Sequence, residues 1–118
     1  MTALIQREYE DLISAAASGD TNRVVLLELP ADTSKWIQLT WDAFNAAFPL
    51  DESPLECLAR LGVSVPPGFS LVGCEAGTYV TFEHGSPPAP LITDFTRSYS
   101  NAVLGCPVDH LRLRHQML

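Results

Sequence analysis

The order of its periodic segments constrains the fold of this chain more than any single motif does. Apolar residues recur at helical spacing in some segments and alternate with polar residues in others. In chain order, the pattern predicts a helix over 3–18, strands over 23–29 and 35–42, a short helix over 54–61, strands over 69–74 and 78–84, and a helix from about residue 91 to Gly105. This order indicates an α+β fold in which helices flank an antiparallel sheet of four to five strands.

Two stretches leave that prediction open. Residues 43–50 carry Phe44 and Phe48 four positions apart, a spacing that fits one helical turn or an extended strand at a sheet edge. Residues 108–118 alternate leucine with arginine, which fits a short edge strand or a frayed tail. The predicted order is therefore helix, two strands, helix, two strands and helix.

Composition favours one globular domain over residues 1–118. Hydrophobic residues make up 47% of the chain and charged residues 18%, a mixture that argues against disorder. The net charge of −7 argues against nucleic-acid binding, which requires clustered lysine and arginine. The acidic residues are scattered, so solubility explains them better than mimicry of a nucleic acid does. Arginines outnumber the single lysine, Lys35, six to one, which suggests a bacterial source.

The amino-terminal segment and the cysteines bear on location and cofactors. Glu8, Glu10 and Asp11 interrupt the stretch where a secretion signal needs an apolar core, and no run reaches membrane-spanning length. We therefore expect a cytoplasmic protein that does not bind membranes. The three cysteines show neither disulfide nor zinc-site spacing, so we expect buried free thiols, no metal and no cofactor.

The residue types used in catalysis do not form a recognisable set. His84 and Cys74 flank one predicted hairpin, but a thiol–imidazole pair needs both side chains on one face, which the sequence does not establish. His110 and His115 lack the spacing of a helical metal site. There is also no glycine-rich phosphate loop. The sequence predicts a protein that is not an enzyme.

An aromatic surface is the strongest candidate for function. In the second strand Trp36 and Gln38 fall on the face that alternation assigns to solvent. Together with Phe44 and Phe48 they are predicted to form a patch that binds a protein or peptide partner. The alternative is that another part of the domain covers these side chains as core.

Three motifs resemble those of the type III secretion chaperone-like domains of actinobacteria. They are Lys-Trp-Ile-Gln-Leu at 35–39, Pro-Leu-Glu-Cys-Leu-Ala-Arg-Leu-Gly at 54–62 with prolines at 66 and 67 before a hairpin, and Val-Leu-Gly-Cys-Pro-Val-Asp-His-Leu at 103–111. The resemblance covers most of residues 1–113. It implies helices around a curved antiparallel sheet, a protein client, no catalytic residues, and a homodimer that the 54–61 helix supports.

These observations predict a binding module that holds a client segment. A client strand added to a sheet edge would gain main-chain hydrogen bonds, while pockets beside Trp36 would read its side chains. The alternative is an inhibitor or immunity-type protein whose acidic surface blocks a basic partner.

Overall fold

The computed structural model describes all 118 residues and begins with a helix, α1 (Thr2–Ala17). Its buried side chains, Ile5, Tyr9 and Leu12, recur every three or four residues and so share one face. The helix ends because Gly19 takes a positive φ of 91°, a conformation that only glycine adopts freely.

Six strands form one antiparallel sheet. They are β1 (Arg23–Leu29), β2 (Asp32–Leu39), β3 (Ala43–Ala47), β4 (Ser70–Glu75), β5 (Tyr79–Glu83) and β6 (Arg112–Met117). The strand order across the sheet is β4-β5-β3-β2-β1-β6, and every neighbouring pair is antiparallel. Thus β1, in which most residues are buried, is an interior strand, and the two edges are β4 and β6.

Two further helices complete the fold. The second, α2 (Pro54–Arg60), starts with proline at its first position, where the missing N–H costs no helical hydrogen bond. The third, α3 (Ala89–Tyr99), continues into a π-helical segment, Ser100–Leu104, that ends at Gly105 with φ 70°. A short 3-10 turn, Val108–His110, then leads into β6.

One buried cluster joins the three helices to one face of the sheet. It contains α1, α2 and α3 residues together with strand residues such as Ile37, Phe44 and Phe82. Aromatic rings meet at its centre, where Phe44 lies 4.8 Å from Phe95 and 5.2 Å from Tyr99 between ring centroids. Edge-to-face pairs of this kind add to the stabilisation that burial provides. The helices therefore cover a single face of the sheet.

The α+β class is confirmed, but the number and order of strands differ from the prediction. The stretch 43–50 is neither a helical turn nor a sheet edge: it contains β3, which lies between β2 and β5 in the sheet interior. Residues 112–117 form a sixth strand because their backbone pairs with β1 over six registered residues. The predicted four to five strands therefore become six, with β6 after the last helix.

Candidate protein-binding surface

Register divides the sheet residues into two faces. Directly paired residues in antiparallel strands point to the same side, so Ile37, Ala46 and Val80 share the face beneath the helices. All three are fully buried. The other face carries a different set, which we call the open face: Glu28, Trp36, Gln38, Asn45, Tyr79, Thr81, Arg112 and Arg114. These eight residues are partly or fully exposed, whereas Leu26 and Ala47, which lie between them on the same face, are buried.

A hydrogen-bonded polar row crosses the middle of the open face. Gln38, Asn45 and Thr81 lie directly opposite one another on β2, β3 and β5. The Asn45 amide Nδ2 donates to Gln38 Oε1 at 3.2 Å, and Thr81 Oγ1 donates to Asn45 Oδ1 at 2.7 Å. These bonds hold the side chains in fixed positions, so part of their ordering cost is already met before any partner arrives.

An aromatic row runs beside the polar one. Tyr79 pairs with Ala47, and continuing the β2–β3 register by one residue places Trp36 on the other side of Ala47. Both aromatic side chains are partly exposed, while Ala47 is buried. Trp36 also packs against the core cluster, of which Ala47 is a member. The Tyr79 ring lies over Gly73 of β4, where its Cε2 and Oη are 3.7 Å from the position of a Cβ atom. Both aromatic side chains are thus partly held by the protein and partly exposed.

Charge is distributed unevenly over this side of the sheet. At the β6 end lie Arg112 and Arg114, and Arg114 forms an ion pair of 2.8 Å with Glu28 on β1. Toward the opposite edge of the sheet, Glu75 on β4 and Glu83 on β5 lie on the same side as Tyr79 and Thr81. The aromatic and polar rows therefore lie between a basic margin and an acidic margin, an arrangement that gives a partner a preferred orientation.

Two of the four predicted site residues do not belong to this surface. Phe44 and Phe48 are fully buried, and Phe44 contacts Phe95 and Tyr99 beneath the helices. The prediction of an exposed patch that includes them is wrong, because β3 pairs with β5 in a register that directs Phe44 toward Phe82. Trp36 and Gln38 do lie on the open face. Tyr79, Asn45 and Thr81 were missed, although the alternation of Tyr79 and Thr81 with buried Val80 signals their side of the strand.

The strand order also corrects the predicted mode of binding. Trp36 is on β2, and β1 and β6 separate it from one edge while β3, β5 and β4 separate it from the other. With neighbouring strands about 4.8 Å apart, a strand added beside β6 would lie roughly 14 Å from β2. Side chains of an edge-added client therefore do not reach pockets beside Trp36. A segment that contacts Trp36 has to cross the open face.

The largest cavity is elsewhere, between α1, β1 and β6. Its volume is about 540 Å³, and its ionisable lining residues are Glu8, Asp11, Asp20, Arg23 and His115. Four of these groups form two separate pairs: His115 Nε2 lies 2.6 Å from Glu8, and Arg23 Nε lies 2.7 Å from Asp20. The hydrogen bond from Arg23 lowers the pKa of the Asp20 carboxyl. These four groups therefore already have partners within the protein. The lining also includes no serine, threonine or cysteine that could act as a nucleophile beside the His115 imidazole.

The remaining candidates for chemistry do not converge. Cys74 is exposed on β4 opposite Val80, whereas His84 follows Glu83, which pairs with Ser70. The thiol and the imidazole thus lie near opposite ends of the hairpin, roughly 13 Å apart along the strands. No group of three or more His, Cys, Asp or Glu side chains is arranged to hold a metal ion.

None of the helices combines the length and the apolar character that a membrane crossing requires. Comparisons with protein-family models, with curated proteins and with solved structures gave no match.

Proposed function

We propose that this chain is a non-catalytic protein-binding module that holds a segment of a client protein across the open face of its sheet. The observation that carries this proposal is the exposure of Trp36 and Tyr79 in one row beside the hydrogen-bonded Gln38–Asn45–Thr81 row. The helices leave this face uncovered. The resemblance to secretion-type chaperones suggests the same class of function, namely holding a client without chemical change.

The chemistry of the open face suits a polypeptide. Aromatic rings provide apolar contact area at low cost in side-chain entropy, and their polar tips bind main-chain groups. The amide of Asn45 and the hydroxyl of Thr81 are additional partners for a peptide backbone. The basic and acidic margins orient the segment, so we expect a client with an acidic end toward Arg112 and Arg114 and a basic end toward Glu75 and Glu83.

Substitution of the aromatic residues tests this function. Immobilised wild-type protein and the Trp36→Ala and Tyr79→Ala variants are incubated with lysate of the native host, and the retained proteins are compared by mass spectrometry. We expect a client retained by the wild type to be reduced about tenfold or more by either substitution, as for aromatic residues central to an interface. Trp36 is only partly buried, so Trp36→Ala should lower the free energy of unfolding by only about 1–2 kcal/mol.

A matched control removes an exposed apolar side chain away from the sheet. Leu91 on α3 is 41% exposed, and Leu91→Ala should retain the client at the wild-type level. Equal retention by all variants contradicts the open face as the binding site. A large loss of stability in Trp36→Ala with unchanged client binding identifies Trp36 as a structural residue.

The inhibitor hypothesis is distinguished by salt. An acidic protein that blocks a basic enzyme cleft associates faster at low ionic strength, because opposite charges steer the encounter. Binding dominated by Trp36 and Tyr79 changes little between low and moderate salt. A strong salt dependence of the association rate that persists in the Arg114→Gln variant, measured with the captured partner, favours the inhibitor, because that hypothesis uses the acidic surface and not Arg114.

A cytoplasmic location and a homodimer belong to the same proposal. Leu55 on α2 is 49% exposed, which supports α2 as the contact between copies that the family resemblance implies. Light scattering of the wild type and of Leu55→Asp tests this: we expect a dimer for the former and a monomer for the latter. Fractionation of the native host tests the location.

A further inference from the structure

His84 occupies an aromatic site that is unrelated to the open face. Its side chain is 7% exposed and lies at the end of β5. The Phe69 ring lies on one side, with 5.2 Å between ring centroids, and the Tyr9 ring of α1 is 5.9 Å away at a steep angle. The charged group that acts on the imidazole is Asp42, in the turn between β2 and β3, whose backbone carbonyl accepts the backbone N–H of His84 at 2.9 Å.

The hydrogen bond at Nδ1 of His84 defines which nitrogen of the neutral ring carries the proton. Its Nδ1 accepts the backbone N–H of Ser86 at 3.3 Å, so Nδ1 carries no proton and the neutral ring carries its proton on Nε2. Nε2 has no hydrogen-bond partner, and neither has the buried hydroxyl of Tyr9. The hydrogen bond at Nδ1 therefore links the imidazole to the backbone of Ser86.

That bond holds a backbone conformation that is otherwise disfavoured. Ser86 is the one non-glycine residue with a positive φ, 51°. Its hydroxyl donates to the Trp41 carbonyl at 3.1 Å, so two bonds together fix the segment that leads through Pro87 and Pro88 into α3. Between this segment and α1 lies a groove of about 410 Å³, lined by Tyr9, Ile13 and the prolines.

We propose that His84 is a pH-sensitive latch that keeps residues 84–88 closed over the aromatic site and releases them when its ring is protonated. Protonation places an N–H on Nδ1, directed at the N–H of Ser86, and the bond between them is lost. The Ser86 backbone is then free to leave its positive φ, and the groove between α1 and the segment widens. The imidazolium gains access to water only when the segment opens.

The groups around His84 determine the direction of the effect. Burial lowers the pKa of His84, while Asp42 and the backbone oxygens of His84 and Ala43 oppose this more weakly. From α1 the facing titratable groups are Tyr9 and Glu10, which both line the groove. Burial raises the pKa of Tyr9 to about 12, so Tyr9 stays neutral at physiological pH. A group with a lowered pKa in the closed form binds fewer protons there than in the open form. The closed form therefore loses stability as the pH falls below about 6.5, the ordinary pKa of histidine.

Hydrogen exchange and imidazole titration of the full chain test the latch. NMR is used to follow the His84 imidazole together with the protection factor of the Ser86 amide. We expect His84 to titrate below about 6.5, the ordinary pKa of histidine, and the protection factor of Ser86 to fall about tenfold between pH 7.5 and pH 5. Titration of His84 at or above that ordinary value, or a protection factor that does not change, overturns the proposal.

Two variants distinguish the effect of the hydrogen bond on Ser86 protection from the effect of the charge on His84. His84→Asn retains an acceptor on the same branch of the side chain and does not titrate, so Ser86 should stay protected at both pH values. His84→Phe retains the aromatic packing but has no acceptor, so protection should already be low at pH 7.5. His110→Asn is the matched control and should behave as the wild type. An acid-induced loss in His84→Asn equal to that of the wild type rejects the latch; should that variant not fold, the wild-type titration alone decides.

Discussion

The two faces of the sheet are built from the same strands but differ in what holds their side chains in place. Beneath the helices, residues such as Phe44, Phe82 and Leu39 are fully buried, and contacts with other apolar groups position them. On the open face, Asn45 and Thr81 are positioned by hydrogen bonds to neighbouring strands. The first face provides stability, whereas the second provides an ordered polar and aromatic surface that still contacts water.

The largest effect is expected at the centre of the covered face. Phe44→Ala removes a ring that contacts Phe82, Phe95 and Tyr99 and leaves a cavity that the surrounding helices and strands fill only partly. We expect a loss of about 3–5 kcal/mol in the free energy of unfolding, measured by urea denaturation. This is a large fraction of the roughly 5–15 kcal/mol of a typical domain. A loss below about 1 kcal/mol would mean that Phe44 is not a core residue.

The buried hydroxyl of Tyr99 links α3 to the backbone of β3. Tyr99 Oη donates to the Ala47 carbonyl at 2.7 Å, and burial raises the pKa of Tyr99. Tyr99→Phe removes the donor and leaves that carbonyl without this partner, so we expect a loss of about 1–2 kcal/mol with no change in helix or strand content. The matched comparison is Tyr79→Phe on the open face, where the side chain is partly exposed and the loss should be smaller.

The covered face could be predicted from sequence more completely than the open face. Helical spacing in α1 and alternation in β2 and β5 depend only on neighbouring residues, so these elements and many of their buried side chains follow from local pattern. Phe44 and Phe48 were assigned to the wrong environment because a spacing of four fits both a helix and a strand. The choice depends on pairing with β5, more than thirty residues away.

Nonlocal pairing also explains what was missed in the candidate site. The polar row requires Gln38, Asn45 and Thr81 to be in register across three strands, and no local pattern specifies that register. The C-terminal strand was ambiguous for a different reason. Five of its six residues are exposed, so backbone pairing with β1 stabilises it and few apolar contacts contribute.

Disruption of the polar row should have a moderate effect. Thr81→Val keeps the side-chain shape but removes the hydroxyl that donates to Asn45 Oδ1. Since Asn45 is partly exposed, water takes the place of the donor, and we expect a loss of only about 0.5–1 kcal/mol. The more informative measurement is client affinity, which should fall if the row orders the surface for binding. Unchanged affinity would show that the order of this row does not contribute.

The smallest effect on stability is expected at the basic margin. Arg114 binds Glu28 at 2.8 Å, but its side chain is about half exposed, and exposed ion pairs contribute at most about 1 kcal/mol. Arg114→Gln retains most of the side-chain stem over β1, so the melting temperature should change little. If the open face orients its client by charge, the same substitution should lower the association rate at low salt and have no effect at high salt, because salt screens the interaction. The control Arg7→Gln, at an exposed position of α1, should change neither quantity.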